Sequence, residues 1–145
     1  MNRINLGRVL IGGLLAGVII NLSEFVLNGI LLEEEMNAAM AALNRPPIAP
    51  SMIIWFVLIS FGFGFMLVWT YAAIRPRMGP GVKTAVCAAT LCWGLGYLYP
   101  NLFFYVMNLF PRNIIILMTI WGLAEVVIAG IVGAWAYTEA SPGGS

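Results

Sequence analysis

Four long apolar runs dominate the pattern of hydrophobic and polar positions along the chain. They cover residues 9–32, 51–74, 84–110 and 113–137, and short segments rich in charge, glycine or proline separate them. A helix needs about 20 residues to cross the hydrocarbon core of a bilayer, so each run is long enough for one span. The pattern predicts an all-α integral membrane four-helix bundle that forms a single transmembrane domain over residues 1–145.

The third run is longer than one span requires, which predicts that it tilts, kinks or continues along the membrane surface. Pro100 lies inside this run, where its ring nitrogen cannot donate a backbone hydrogen bond. We therefore expect a kink in the third helix near Gly96.

The longest connection between runs begins with three glutamates and is rich in alanine and methionine, which are good helix formers. Residues 33–45 are therefore predicted to form a short amphipathic helix on the membrane surface, or else a simple extension of the first span. The Pro46-Pro47 pair ends either form. The last residues, 139–145, are small and polar and are predicted to form a mobile tail.

Composition supports the membrane assignment, because 61% of the residues are hydrophobic and only 9% are charged. Soluble domains average about 45–50% apolar and about 25% charged residues. The lipid bilayer is thus the expected surrounding of most of this chain. A net charge of +1 gives no basic field for nucleic acid, so no nucleic-acid partner is expected.

The basic residues predict an orientation. Arg3 and Arg8 precede the first run, and three basic residues lie in the 75–83 connection, whereas the 33–45 connection has three glutamates against Arg45. Because cytoplasmic loops carry the excess of Lys and Arg, both termini and the 75–83 connection are predicted to be cytoplasmic. The expected location is a bacterial inner (cytoplasmic) membrane.

The chain has no histidine, which removes the commonest ligand of haem, zinc and copper and the usual partner of a catalytic serine or cysteine. Cys87 and Cys92 lie five residues apart, which is neither a CxxC redox pair nor a zinc motif. No Lys lies inside an apolar run, as a retinal protein would require. We therefore expect no enzyme activity, no metal and no cofactor, and we assign no family.

Polar and small residues recur on one face of the predicted helices. Residues spaced 3 or 4 apart lie on one face of a helix. Because these residues are polar or small, this face is expected to contact protein or water and not lipid. In the first run these are Gly13, Gly17, Asn21, Glu24 and Asn28, in the second Ser60 and Gly64, in the third Thr90, Gly94, Tyr97, Asn101, Tyr105 and Asn108, and in the fourth Gly122, Glu125, Ala129 and Gly133. Close helix packing is predicted at Gly13, Gly17, Gly64, Gly94, Gly122 and Gly133.

Two carboxylates inside apolar runs are the residues most suggestive of function. A charged side chain at the bilayer centre costs at least about 2.5–3.5 kcal/mol, and no Lys or Arg lies in any run to offset it. Glu24 and Glu125, supported by Asn21, Asn28, Tyr97 and Asn101, are therefore candidates for a proton- or cation-handling polar seam. The alternative is that each glutamate is protonated and only forms hydrogen bonds between helices.

Three functional hypotheses remain open. The sequence favours a small non-enzymatic subunit that oligomerises or stabilises a larger membrane complex, because its loops are short and catalytic groups are absent. The second hypothesis is a proton- or cation-coupled small-solute transporter or channel that uses Glu24 and Glu125. The third, a membrane enzyme or a lipid- or quinone-binding module that uses Trp93, Tyr97 and Tyr105, has the least support.

Overall fold

A computed structural model describes residues 4–138, and the predicted tail at 139–145 lies outside the described residues. Within them the chain forms α-helices and two π-helical segments, with no strand. One π segment, Leu27–Leu31, continues the first helix, and the other, Gly94–Leu98, joins the fourth helix to the fifth. The α-helices are α1 (Leu6–Val26), α2 (Glu33–Ala42), α3 (Pro50–Met78), α4 (Val82–Trp93), α5 (Tyr99–Val106) and α6 (Arg112–Ala136).

Three helices are long and apolar enough to cross a membrane, which confirms the predicted all-α membrane class. They are Leu6–Leu31, Pro50–Met78 and Arg112–Ala136, and they correspond to the first, second and fourth apolar runs. The third run forms α4, a π segment and α5 in unbroken succession. Glycine, tyrosine, proline and asparagine make this stretch more polar than the others, and it is not among the three candidate spans, so the fourth span remains a prediction.

The third run changes helix type where the sequence predicted a kink. The π segment Gly94–Leu98 contains Gly96, whose carbonyl would accept the backbone hydrogen bond that Pro100 cannot donate. A π segment widens the helix by one residue, which is one way to accommodate a missing α-helical bond. The sequence therefore located the irregularity but not its form.

Helix α2 is separate from α1, and its position on the membrane surface stays a prediction. Leu32 interrupts the helix with φ −117° and ψ 13°, and α2 begins at the next residue. Met36 of α2 packs against a small apolar cluster formed by Leu27, Leu32 and Ile114. This cluster and α2 lie at one end of the molecule, which we call the α2 end.

Glycines bring α1 close to two neighbouring helices. A Cβ added to Gly64 of α3 would lie 2.6 Å from the carbonyl oxygen of Gly13 and 2.7 Å from the amide nitrogen of Gly17. On the adjacent face of α1, Gly12 meets Gly133 of α6 in a similarly close contact. Gly12 and Gly13 are adjacent in sequence but lie at different helix crossings, Gly12 between α1 and α6 and Gly13 between α1 and α3.

The crossings at Gly13, Gly17, Gly64 and Gly133 lie where the sequence placed helix packing, whereas Gly12 was not predicted. Gly94, also predicted to pack, has no neighbour within 4 Å of an added Cβ. The structure therefore brings Gly94 to no close helix contact.

The opposite end of the molecule, which we call the Tyr137 end, is densely packed. The Tyr137 hydroxyl accepts a hydrogen bond from the backbone N–H of Asn5 at 3.2 Å. Its ring meets the Tyr71 ring edge-on, and the Arg75 guanidinium lies over it at 5.7 Å. The main buried core lies here and consists of Val9, Ala16, Ile20, Leu67, Val68, Tyr71, Ala72, Ala85, Ala88, Ala89, Cys92, Val126, Ala129, Ala134 and Tyr137.

Candidate functional site

The two intramembrane carboxylates meet at the Tyr97 hydroxyl. Its oxygen lies 2.6 Å from Oε1 of Glu125 and 3.2 Å from Oε1 of Glu24. Helix α1 supplies Glu24, α6 supplies Glu125, and the π segment between α4 and α5 supplies the tyrosine. Three separate elements therefore converge on one oxygen atom. The sequence named these three residues as candidates but did not predict that they meet.

The tyrosine can donate only one hydrogen bond, which constrains where protons lie in this cluster. A phenol carries a single O–H and can also accept, whereas an ionised carboxylate can only accept. If both contacts are hydrogen bonds, one carboxyl group must be protonated and donate to Tyr97, while Tyr97 donates to the other. The geometry therefore fits a cluster that shares a proton between Glu24 and Glu125.

Asn28 holds the second oxygen of Glu24, since its side-chain amide donates to Oε2. That oxygen is therefore an acceptor, and a proton on Glu24 would lie on Oε1, which faces Tyr97. Both partners of Glu24, Asn28 and Tyr97, lie in π-helical segments. Single π turns inside α-helices occur frequently at functional sites.

Glu125 is more deeply buried than Glu24, with only 3% of its surface exposed. Its Oε2 is buried and receives no hydrogen bond from the described residues, although Ser23 and Glu24 adjoin the carboxyl group. Ser23 itself accepts a hydrogen bond from the indole N–H of Trp121 at 2.8 Å. An unpartnered buried carboxylate oxygen is costly unless a proton or a ligand satisfies it.

The Tyr97 ring is held in place by packing against two residues. Gly122 lies directly beneath it, and a Cβ at that position would overlap the ring. On its other side Phe63 meets the ring edge-on, with centroids 5.7 Å apart and planes at 81°. Gly122, which was predicted to pack against another helix, thus makes room for the ring of Tyr97, whose hydroxyl contacts both carboxylates.

Two predicted members of the seam form hydrogen bonds elsewhere. The Asn21 amide donates to the carbonyl oxygens of Gly17 at 2.8 Å and Val57 at 3.4 Å, between α1 and α3. The Asn101 amide donates to the Thr119 hydroxyl at 2.8 Å, between α5 and α6. Of the six predicted residues, the structure brings together Glu24, Asn28, Tyr97 and Glu125.

Sequence reasoning missed Phe63, Ser23 and Trp121 around the cluster. Phe63 has no polar signature and looks like any lipid-facing aromatic. Ser23 lies next to Glu24, and Trp121 lies four residues before Glu125, so a search for donors flanking each carboxylate would have found both.

The cluster contains no basic side chain, and the Lys and Arg of residues 4–138 lie near the ends of helices or in connections. Its charged state is therefore compensated by hydrogen bonds and protons and not by a salt bridge. Among the described residues no group of three or more His, Cys, Asp or Glu is placed to hold a metal ion. The chemistry that these side chains can perform is uptake, sharing and release of a proton.

Comparisons of the chain with protein family models, with curated proteins and with solved structures give no match.

Proposed function

We propose that this protein is a proton-coupled carrier of a small solute, in which the Glu24–Tyr97–Glu125 cluster holds the exchangeable proton. The sequence alone favoured a non-enzymatic subunit of a membrane complex. The observation that shifts the balance is the meeting of both carboxylates at one tyrosine hydroxyl inside the chain. A carboxylate held for a partner subunit would be expected on an outer surface, whereas these two face each other.

The cluster supports a proton relay between α1 and α6. When Glu24 is protonated, its O–H donates to Tyr97, and the tyrosine O–H donates to Glu125. Transfer of the Glu24 proton to the tyrosine oxygen, with transfer of the tyrosine proton to Glu125, leaves the tyrosine neutral and moves one proton between helices. Glu24, which is only partly buried, is the group that exchanges with the outside, and Glu125 is the deeper acceptor.

The proposed topology has four spans, with α4, the π segment and α5 forming the third. Their 25 consecutive helical residues exceed the length that the hydrocarbon core requires. Arg3, Arg8 and the basic residues of the 75–83 segment, which runs from the end of α3 to the start of α4, favour cytoplasmic termini by the positive-inside rule, with α2 on the opposite face. Cysteine labelling tests this arrangement: a cysteine in α2 should react only from outside the cell, and one in the 75–83 connection only from inside.

Proton flux tests the carrier directly. The purified protein is reconstituted in liposomes with an internal pH dye, and an imposed pH gradient should produce flux above that of empty liposomes. Glu24→Gln and Glu125→Gln should each abolish it, because the amide cannot carry the proton. The matched control is Glu34→Gln in α2, an exposed carboxylate outside the cluster, which should leave flux unchanged. Absence of wild-type flux across a panel of candidate solutes, or equal flux in all variants, would refute the proposal.

A second candidate function remains a subunit that oligomerises or joins a larger complex. It is supported by the first turns of α3, where every residue from 51 to 56 is exposed. Native-gel migration above monomer mass, or a partner that co-purifies in mild detergent, would favour this candidate. Migration as a monomer together with proton flux would favour the carrier.

A further inference from the structure

We infer that Ser23, held by the indole N–H of Trp121, is a positioning residue of the proton relay. Its hydroxyl donates a hydrogen bond to ionised Glu125 and so keeps the shared proton on Glu24 when the carrier is at rest. The inference rests on the proposed carrier function and adds to it a control over where the proton lies.

The Ser23 hydroxyl is used differently from several other hydroxyls of the helices. Those of Thr70, Thr90 and Thr119 each donate to the backbone carbonyl four residues earlier, a common use of a hydroxyl inside a helix. Within the described part of the chain, Ser23 takes part only as an acceptor, from the Trp121 indole N–H at 2.8 Å. Its own proton is therefore available to another acceptor.

An acceptor without a partner lies on the neighbouring helix. Ser23 of α1 adjoins the carboxyl group of Glu125 in α6, and the buried Oε2 of that group receives no hydrogen bond from the described residues. An unused donor and an unused acceptor are therefore neighbours, and rotation of the Ser23 O–H would join them without any movement of the backbone.

Trp121 favours that rotation. It lies one helical turn before Glu125 on the same face of α6, so its bond to Ser23 joins α1 and α6 at the level of the carboxylates. An indole N–H can donate but cannot accept. It therefore occupies one lone pair of the Ser23 oxygen and leaves the O–H to point elsewhere, towards Glu125.

The hydroxyl changes which carboxylate is better stabilised as an anion. Tyr97 lies closer to Glu125 than to Glu24, and Asn28 donates to Glu24. With Ser23, Glu125 has two donors and Glu24 has one. Because a buried ionised carboxylate depends on its hydrogen bonds, the additional donor favours ionised Glu125. The shared proton then lies on Glu24, the less buried group, from which it exchanges with the outside.

Few other groups can affect the protonation of Glu125. Among the described residues, the titratable groups that face it are Glu24 of α1 and Tyr97 of the π segment. Of the other helices packed on α6, α4 directs its buried Cys92 towards α3, and the tyrosines of α5 are exposed. The charged residues of α3 and α4 lie near the ends of those helices. A changed pH response in a Ser23 variant would therefore originate in the cluster.

The test follows the carboxylic acid C=O band by infrared spectroscopy of the full chain in lipid nanodiscs as the pH is raised. In Ser23→Ala the ionised form loses a donor, so the pH at which half of the band is lost should rise by about one unit. Proton flux in liposomes at neutral pH should fall. Ser23→Thr keeps the hydroxyl and should retain the wild-type midpoint. Trp121→Phe removes the indole N–H and should raise the midpoint by less than Ser23→Ala does.

Two matched controls separate this role from general effects of substitution. Thr90→Ala removes a hydroxyl that is bonded inside its own helix, and Trp69→Phe removes an exposed indole. Neither should move the midpoint.

An unchanged or lowered midpoint in Ser23→Ala, or an equal rise in Thr90→Ala, would overturn the inference. A rise that Ser23→Thr shares would assign the effect to packing and would also overturn it. If Ser23→Ala does not fold, Trp121→Phe decides: a raised midpoint supports the inference and an unchanged one overturns it. Wild-type flux that requires Glu24, with one midpoint in all Ser23 variants, would overturn the role of Ser23 and leave the carrier proposal intact. Absence of both the flux and the band in the wild type would overturn both.

Discussion

The two ends of this molecule meet the packing and hydrogen-bonding requirements of a membrane protein in opposite ways. At the Tyr137 end, glycine and alanine bring backbones together, and buried hydroxyls bond to the backbone: Thr84 donates to the Gly79 carbonyl at 2.6 Å, and Tyr137 accepts from the Asn5 N–H at 3.2 Å. Towards the α2 end, two π segments interrupt the α-helical pattern, and carboxylate, phenol and amide side chains bond to one another. One end is built for close packing and the other for polar contacts.

The difference indicates which polar residues are structural and which are candidates for function. In lipid, helix association depends on close packing and interhelical hydrogen bonds, because burial from water gives no driving force. The Tyr137 end meets this requirement without a carboxylate among the described residues. The carboxylate cluster is therefore not needed to hold the helices together, which favours a role in proton handling over a role as interhelical glue.

The largest effect on stability is expected from Gly64→Ala. The new Cβ would meet the backbone of Gly13 and Gly17, which cannot move away as a flexible side chain would. We expect a loss of about 1–3 kcal/mol, typical of overpacking. Gly62→Ala is the matched control, because a Cβ there has no neighbour within 4 Å. Thermal unfolding in mild detergent measures both, and equal melting temperatures would show that this crossing is not tightly packed.

Gly122→Ala should have a smaller effect on stability and a specific effect on the site. The methyl group would displace the Tyr97 ring, which touches Gly122 directly. We expect a loss of about 1 kcal/mol, at the low end for overpacking, together with loss of proton flux. Gly94→Ala lies in the same π segment as Tyr97 but has open space around it, and it should retain flux. Normal flux in Gly122→Ala would contradict the claim that packing against Gly122 positions the Tyr97 hydroxyl for proton transfer.

Tyr97→Phe should change stability little while it impairs the relay. Interhelical hydrogen bonds in membranes average about 0.6 kcal/mol, so the unfolding free energy should fall by about 1 kcal/mol or less. Proton flux should fall by about tenfold or more, because a positioned proton-transfer group is lost. Tyr99→Phe, at an exposed tyrosine two residues away, is the control. Flux that survives Tyr97→Phe would mean that the carboxylates exchange protons without the tyrosine.

The smallest effect on proton handling is expected from Asn101→Ala. Its amide bonds Thr119 and does not reach the carboxylate cluster. The loss should be confined to stability, at about 0.6 kcal/mol, with flux unchanged. Loss of flux would show that Asn101 takes part in proton transfer, as the spacing of polar residues in the third run suggested.

Periodicity predicted the residues of the site better than their grouping. A spacing of 3 or 4 correctly placed Glu24 and Asn28 on one face of α1 and Glu125 on the inner face of α6. The same spacing could not distinguish Asn21 from the residues of the carboxylate cluster, because a helix face about 100° wide contacts two neighbouring helices. Asn21 faces α3. Which neighbour a polar residue meets depends on the helix arrangement, which spacing does not specify.

The irregular segments show a second limit of sequence reasoning. Pro100 indicated where the third run departs from an α-helix, but nothing comparable marks the π segment Leu27–Leu31. Its residues are compatible with an ordinary α-helix, and Leu27 and Leu32, at its two ends, pack in one cluster with Ile114. The three apolar spans, in contrast, followed from hydrophobicity alone.

The central claim is that Glu24 and Glu125 share a proton that exchanges, and infrared spectroscopy of the protein in nanodiscs tests it most directly. The wild type should show a carboxylic acid C=O stretching band at neutral pH that responds to pH. The band should shift in Glu24→Gln, disappear in the variant that carries both Glu24→Gln and Glu125→Gln, and remain unchanged in Glu34→Gln. A wild-type spectrum without this band at neutral pH, or a band that both substitutions leave in place, would contradict the account.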